Sequence, residues 1–204
     1  MRPLVLLCLI AGTAGAEVPP ILAEEPAVQP LPKISASVGV MGTAGKLARL
    51  DLTGWAPNVE LARGAGRWQY FGEVGFGFVK LGPKGDRVSG HQVRGGAGVR
   101  WLARSFELGD KGAIEMHLEA FAGYSRFDLE GRAHIARPDL GAGVGYGVRS
   151  FVGKRLRNSG IRITVRVFFA PTDRRDEEIA CRGSCPMTAG NSNAGLMAMF
   201  RGYL

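Results

Sequence analysis

Beyond its first residues the chain has no stretch approaching the ~20 consecutive apolar residues that a membrane-spanning helix needs. If the protein spans a membrane, it must do so as a closed barrel, because only helices and barrels satisfy the backbone in lipid. Cysteine is also scarce, with Cys8, Cys181 and Cys185 making three in all. Neither a second Cys pair nor a suitably spaced His pair accompanies Cys181-x3-Cys185, so the zinc reading is weak. No basic run carries interleaved aromatics, which argues against a nucleic-acid partner. Gly95, Gly96 and Gly98 are not followed by a helical period, so they do not form a dinucleotide fingerprint. No cofactor is implied.

What is present begins with an export pattern. Arg2 supplies a basic start, Leu4 to Ile10 an apolar core, and Ala14-Gly15-Ala16 a small-residue cleavage site. Cys8 does not suit a lipoprotein signal, since Leu7 stands where a small residue is wanted. Residues 1–16 are therefore expected to be a signal peptide. Their removal takes one Arg and no acid from a net charge of +8, leaving 8 − 1 = +7. A basic balance points to anionic partners, and for an exported bacterial-type chain lipopolysaccharide phosphates suit that best. In an oxidising compartment Cys181 and Cys185 could close a short disulfide loop. Residues 17–33 hold Pro19, Pro20, Pro26, Pro30 and Pro32. Proline supplies no backbone N–H and favours extended chain, so a flexible periplasmic tail is expected.

From Ile34 the text changes to alternating, glycine-punctuated segments, and strand side chains alternate with period 2. Eight such segments are expected, at 34–41, 47–61, 68–79, 88–102, 113–124, 140–149, 160–170 and 193–204. Pro57 marks an irregularity in the second. With an even strand count and the N-terminus in the periplasm, the connectors 42–45, 82–87, 126–137 and 171–192 fall on the outer side. Trp68, Tyr70 and Trp101 would form a girdle at the inner rim; Tyr124, Phe127 and Phe169 would lie near the outer rim.

One face of these segments collects Arg49, Asp51, Glu73, Arg94, Arg100, Glu115, His117, Glu119, Arg149, Arg162, Arg166 and Arg201. The other face is apolar, as in Ile114, Met116, Leu118, Ala120, Ala122 and Tyr124. A soluble periplasmic ligand-binding barrel would bury the apolar face. A membrane barrel would turn it to lipid and fill its lumen with the charges. The width of the runs, their glycine content and the strand-terminal Trp residues favour the second. The glycine row 141, 143, 145 and 147 would make room for long Arg and Glu side chains from across the barrel, and eight strands leave a lumen that side chains can fill. Glu115, His117 and Glu119 could instead suggest a metal or acid–base cluster; with Arg partners plentiful, a salt-bridge network is the better expectation. Ser89 and His91 share a face near the outer end of the fourth segment, without an obvious third member of a triad. The stretch from Asp173 to Glu178, with the cysteines after it, is either a partner-binding loop or a solvated one.

The segments from Ile34 to Leu204 resemble the small eight-stranded outer-membrane β-barrel proteins of Gram-negative bacteria. The end Met199-Phe200-Arg201-Gly202-Tyr203-Leu204 is similar to the terminal strand that such proteins present to the barrel-assembly machinery, although Leu204 replaces the usual aromatic residue. The resemblance implies an all-β antiparallel barrel over 34–204, monomeric, in the outer membrane, with lipid and lipopolysaccharide as its surroundings. Ser192-Asn193 is similar to part of the His-x-Ser-Asn motif of lipid A 3-O-deacylases. Gly190 stands at the His position and no acid follows Ser192, and a serine needs an adjacent base. The expectation is a structural or surface-interaction barrel without a catalytic site, with the acyl hydrolase and the soluble barrel as alternatives.

Overall fold

A computed structural model describes residues 31–47, 50–82, 87–131, 134–151, 159–169 and 194–203. The expected signal peptide and most of the expected Pro-rich tail lie outside the described residues, as do Arg49, Ser192, Cys181 and Cys185. Eight antiparallel strands follow in order: β1 (Ile34–Leu47), β2 (Leu50–Ala65), β3 (Trp68–Leu81), β4 (Val88–Glu107), β5 (Gly112–Leu129), β6 (Ile135–Ser150), β7 (Gly160–Phe169) and β8 (Ala194–Tyr203). Each pairs with its neighbour in sequence, and β8 pairs back onto β1 from Ser37↔Tyr203 to Gly45↔Gly195, closing the barrel. Closure leaves no open sheet edge, so the backbone donors and acceptors of the wall are paired within it.

The strands are longer than the alternation predicts. β1 continues through residues 42–45, so the expected first outer connector is strand. β5 and β6 extend to Leu129 and Ile135, and the expected loop 126–137 contracts to 130–134. At one end, here the near end, residues 66–67 turn β2 into β3 and 108–111 turn β4 into β5, and β6 ends and β7 begins at this same end. At the far end β1 ends and β2 begins, as do β3 and β4, β5 and β6, and β7 and β8. Gly66 sits at φ 62° in a two-residue turn that suits the twist of a hairpin. Residues 31–33, expected in the flexible tail, pack against this turn: Leu31 N–H donates to Gly66 O at 3.1 Å, and Gly64 N–H donates to Lys33 O at 2.9 Å.

The ladder between β2 and β3 is interrupted at Ala56 and Pro57 but resumes in the same register, Trp55↔Phe78 and then Asn58↔Gly75. Between β4 and β5 the register shifts at Ala103, a bulge that reverses the facing of the last residues of β4. Only the second changes which side chains face inward; in β2 the even positions stay inward on both sides of Pro57.

The wall faces apolar side chains outward. Val38, Val59, Tyr70, Phe76, Leu118, Val144, Tyr146, Ile163 and Val165 are all exposed. Inside, Phe71 and Phe121 stack with ring centroids 6.4 Å apart, and glycines make room for them. A Cβ built on Gly98 would come within 2.4 Å of the Phe71 ring, and one on Gly96 within 2.5 Å of Phe121. The glycine row of β6 serves a nearer neighbour than expected. Gly141 and Gly143 lie under the aliphatic stem of Arg166 on the adjoining β7, where a Cβ at Gly141 would meet Arg166 Cδ at 2.6 Å.

Gly98→Val is expected to lower the unfolding free energy by ~1–3 kcal/mol, the cost of overpacking a filled interior. Gly72→Ala, whose added Cβ meets nothing nearer than 3.8 Å, should stay within ~0.5 kcal/mol of the parent. Urea titration in detergent micelles measures both.

Candidate functional site

The lumen is filled in layers. At the far end it is apolar: Met41, Leu47, Leu52, Ala56, Val79, Leu81, Phe127, Leu129, Ile135 and Phe168 form one buried cluster. Below it Arg94 Nε lies 3.0 Å from Asp139 Oδ2, and Ser125 Oγ donates to the same oxygen at 2.6 Å. Arg94 also stands over the Phe121 ring at 4.7 Å.

The middle of the lumen is a branched ion network. Arg166 donates to Glu73 Oε1 at 2.7 Å and to Glu119 Oε1 at 2.8 Å. Arg100 donates to Glu119 Oε2 at 3.1 Å, to Glu60 Oε2 at 2.8 Å and to Gln69 Oε1 at 2.5 Å. Arg162 reaches Glu60 Oε1 at 2.7 Å, and Gln69 in turn donates to Ser35 Oγ at 3.1 Å. Two of these guanidiniums also lie over rings, Arg166 over Phe121 at 4.3 Å and Arg100 over Phe71 at 4.5 Å. Rings attract cations through their faces, so Phe71 and Phe121 complement the charges instead of merely filling space.

Towards the near end Arg149 Nη2 lies 2.7 Å from Glu115 Oε1, and His117 Nε2 lies 3.4 Å from Glu115 Oε2. The three titratable groups of β5 are thus divided between two ion groups, Glu115 and His117 in one and Glu119 in the other. That arrangement is a salt-bridge network, and the three do not converge on one point.

Of the residues expected in the lumen, Glu73, Arg94, Arg100, Glu115, His117, Glu119, Arg149, Arg162 and Arg166 are buried there. Arg201 stands opposite Arg162 on β7 and Gly39 on β1 in the ladder. Asp51 is a correction. It lies on the outward face at the far end, half-exposed, and pairs with Lys46. Leu52 takes the inward place beside it because the far end of the lumen is apolar. Phe127, expected near the outer rim, lies at that end but faces the lumen, in the same cluster. Ser89 and His91 are on the outward wall, with the His91 ring 5.7 Å from Phe76 and 5.1 Å from Phe78.

Two lumen acids were missed, Glu60 and Asp139. Asn58-Val59-Glu60-Leu61 carries the signal for the first and Asp139-Leu140-Gly141 for the second, since each keeps the period of its strand. With them included, the buried lumen charges among the described residues are Arg94, Arg100, Arg149, Arg162 and Arg166 against Glu60, Glu73, Glu115, Glu119 and Asp139. The two signs balance, five to five.

A closed antiparallel barrel with an apolar exterior and an ionic interior defines the class: the chain has the fold of the outer-membrane β-barrel proteins. Among solved structures it is similar to Neisserial surface protein A (NspA), at TM-score 0.51 and 12% identity, over 84% of this chain and 96% of that one. Further matches are Ail, the attachment invasion locus protein of Yersinia pestis, at TM-score 0.34, 13% identity and 83% against 96% coverage. The N-terminal β-barrel domain of Pseudomonas aeruginosa OprF matches at TM-score 0.32, 12% identity and 85% against 99% coverage. No family model and no curated protein matches the sequence. The similarity to lipid A 3-O-deacylases does not appear among the structures named, and its residues Ser192 and Asn193 lie outside the described ones.

Arg100→Met is expected to cost ~3–5 kcal/mol of stability, because it leaves the surrounding carboxylates under-neutralised in a closed interior. The double variant Arg100→Met/Glu119→Gln restores the balance of sign and should lose less than the sum of the two single changes. A double-mutant cycle from urea unfolding in detergent reads the coupling.

Proposed function

We propose that the protein is a monomeric integral barrel of the outer membrane, with its near end towards the periplasm, that plays a structural or surface-interaction role without catalysis. The observation that carries this reading is the division of the wall, apolar side chains outward on β1 to β7 and balanced charges within among the described residues. Exposed apolar surface on this scale is unfavourable in water and is what a barrel turns to lipid. It also disfavours the soluble alternative, in which Ile114, Leu118 and Tyr124 would face an internal cavity; here they are exposed. Trp68 and Trp101, 6.3 Å apart at the near end, suit an interfacial girdle. The filled, capped lumen favours a wall that does not conduct. The basic balance of the chain favours phosphate-bearing lipid and lipopolysaccharide as its surroundings. Its assembly partner during insertion would be the barrel-assembly machinery.

Expressed in a Gram-negative host, the protein should fractionate with outer membranes and migrate faster on gels unheated than boiled. In planar bilayers it should give no stepwise conductance. Recovery as a soluble periplasmic protein with no heat-dependent migration would overturn the reading.

A further inference from the structure

On the outward wall at the far end, three strands place two short rows side by side. The register puts Thr53, Lys80 and Ser89 level with one another, and Trp55, Phe78 and His91 level one step further from the rim. The rows border a hollow of about 530 Å³. The row nearer the rim consists of a hydroxyl, an ammonium and a hydroxyl. The row nearer mid-wall consists of rings, with Trp55 and Phe78 at 5.4 Å and His91 packed against Phe78.

Two other basic side chains at this end are paired with carboxylates, Lys46 with Asp51 and Arg126 with Asp128. Lys80 is exposed and has no carboxylate partner among the described residues. Glu130 also borders the hollow, and its backbone N–H donates to Ser89 O at 3.0 Å.

We propose that this hollow is a binding site for a phosphorylated glycolipid of the lipid A type. Its phosphate would be taken by Lys80 with the hydroxyls of Thr53 and Ser89, and its acyl chain would lie along Trp55 and Phe78. The order of the rows carries the assignment. An ammonium flanked by hydroxyls offers donors to a phosphate oxygen, and it stands on the rim side, where a headgroup lies. Flat apolar rings stand on the side of the hydrocarbon. A lipid phosphate satisfies both rows at once, whereas a free phosphate ion would satisfy one. The inference rests on the outer-membrane placement proposed above.

The test is native mass spectrometry of the whole barrel, released from an uncharged detergent. The probes are bisphosphorylated lipid A, the same lipid stripped of phosphate, and inorganic phosphate as competitor. Phosphorylated lipid A should be retained over the stripped form. Lys80→Gln should lower retention about fivefold, the loss expected for one basic contact at a lipid surface. Lys80→Arg should keep it, and Glu130→Gln should raise it. The neutral double variant Lys46→Gln/Asp51→Asn, at the neighbouring pair, should leave it unchanged. Equal retention of the two lipids, or the same loss in the Lys46/Asp51 variant as in Lys80→Gln, would overturn the site. Displacement of the lipid by inorganic phosphate would replace it with an anion site. Heat-modifiable migration of every variant, recorded in parallel, separates failure of this site from failure of the barrel reading.

Discussion

A charge placed inside this barrel has little water to turn to, so its neutralisation must come from another side chain. Removing one partner of a buried pair leaves the other uncompensated, which is far costlier than losing a surface pair. That constraint organises the interior. Arg100 is fully buried and touches two carboxylates and an amide oxygen; Arg166, equally buried, shares Glu119 with it. Glu119 therefore joins the two guanidiniums, and Glu60 extends the chain to Arg162. Because these residues come from β2, β3, β4, β5 and β7, the network ties the wall across its diameter. The strand ladders alone connect only neighbours.

Filling a lumen with long side chains makes a second demand, for space. Arginines, two rings and five acids fit only where the wall gives up side chains of its own. Gly96, Gly98 and Gly123 do so beneath Phe71 and Phe121, and Gly141 and Gly143 do so beneath Arg166. The glycines, the rings and the guanidiniums thus form one packed unit, in which the ring faces sit against cations. Glycine weakens a strand through lost packing and backbone entropy. Here the packing is returned by the side chains lying over the vacant positions.

Most of this was legible in the alternation of the sequence. The number of strands, their order and nine lumen residues follow from period 2 and the apolar face of each run. The errors share one physical cause. The period assigns a face only if the lumen has one character throughout, and this lumen changes from ionic to apolar towards its far end. In β2 the apolar Leu50 and Leu52, opposite Arg49 and Asp51, suggested an outward face for even positions, whereas the exposed apolar residues further along are Val59 and Leu61, at odd ones. The second set is right, and Leu52 points inward to meet Leu47, Leu81 and Phe168. Reading β2 from its first half therefore sent Asp51 inside and hid Glu60. Strand ends escaped detection because residues 42–45 and 126–129 look like turns until their cross-strand partners are known.

The change of character along the lumen also bears on where the protein meets other molecules. A polar lumen open at both ends could admit ions or small solutes. Here the ionic layers are closed at the far end by a cluster whose members, Leu47, Leu52, Leu81 and Ile135, are buried almost completely. An entering anion would have to cross that cluster and then displace a carboxylate already bonded to its arginine. Both steps are uphill, since the cluster offers no hydrogen bond and each lumen acid lies at ion-pair distance from an arginine. The interior is therefore suited to holding the wall together, and recognition falls to what faces outward. On the described outward wall, polar and apolar chemistry meet in adjoining rows at Thr53, Lys80 and Ser89 above Trp55, Phe78 and His91. Placing binding there leaves the balanced interior undisturbed, so a ligand can come and go without unpairing a buried charge.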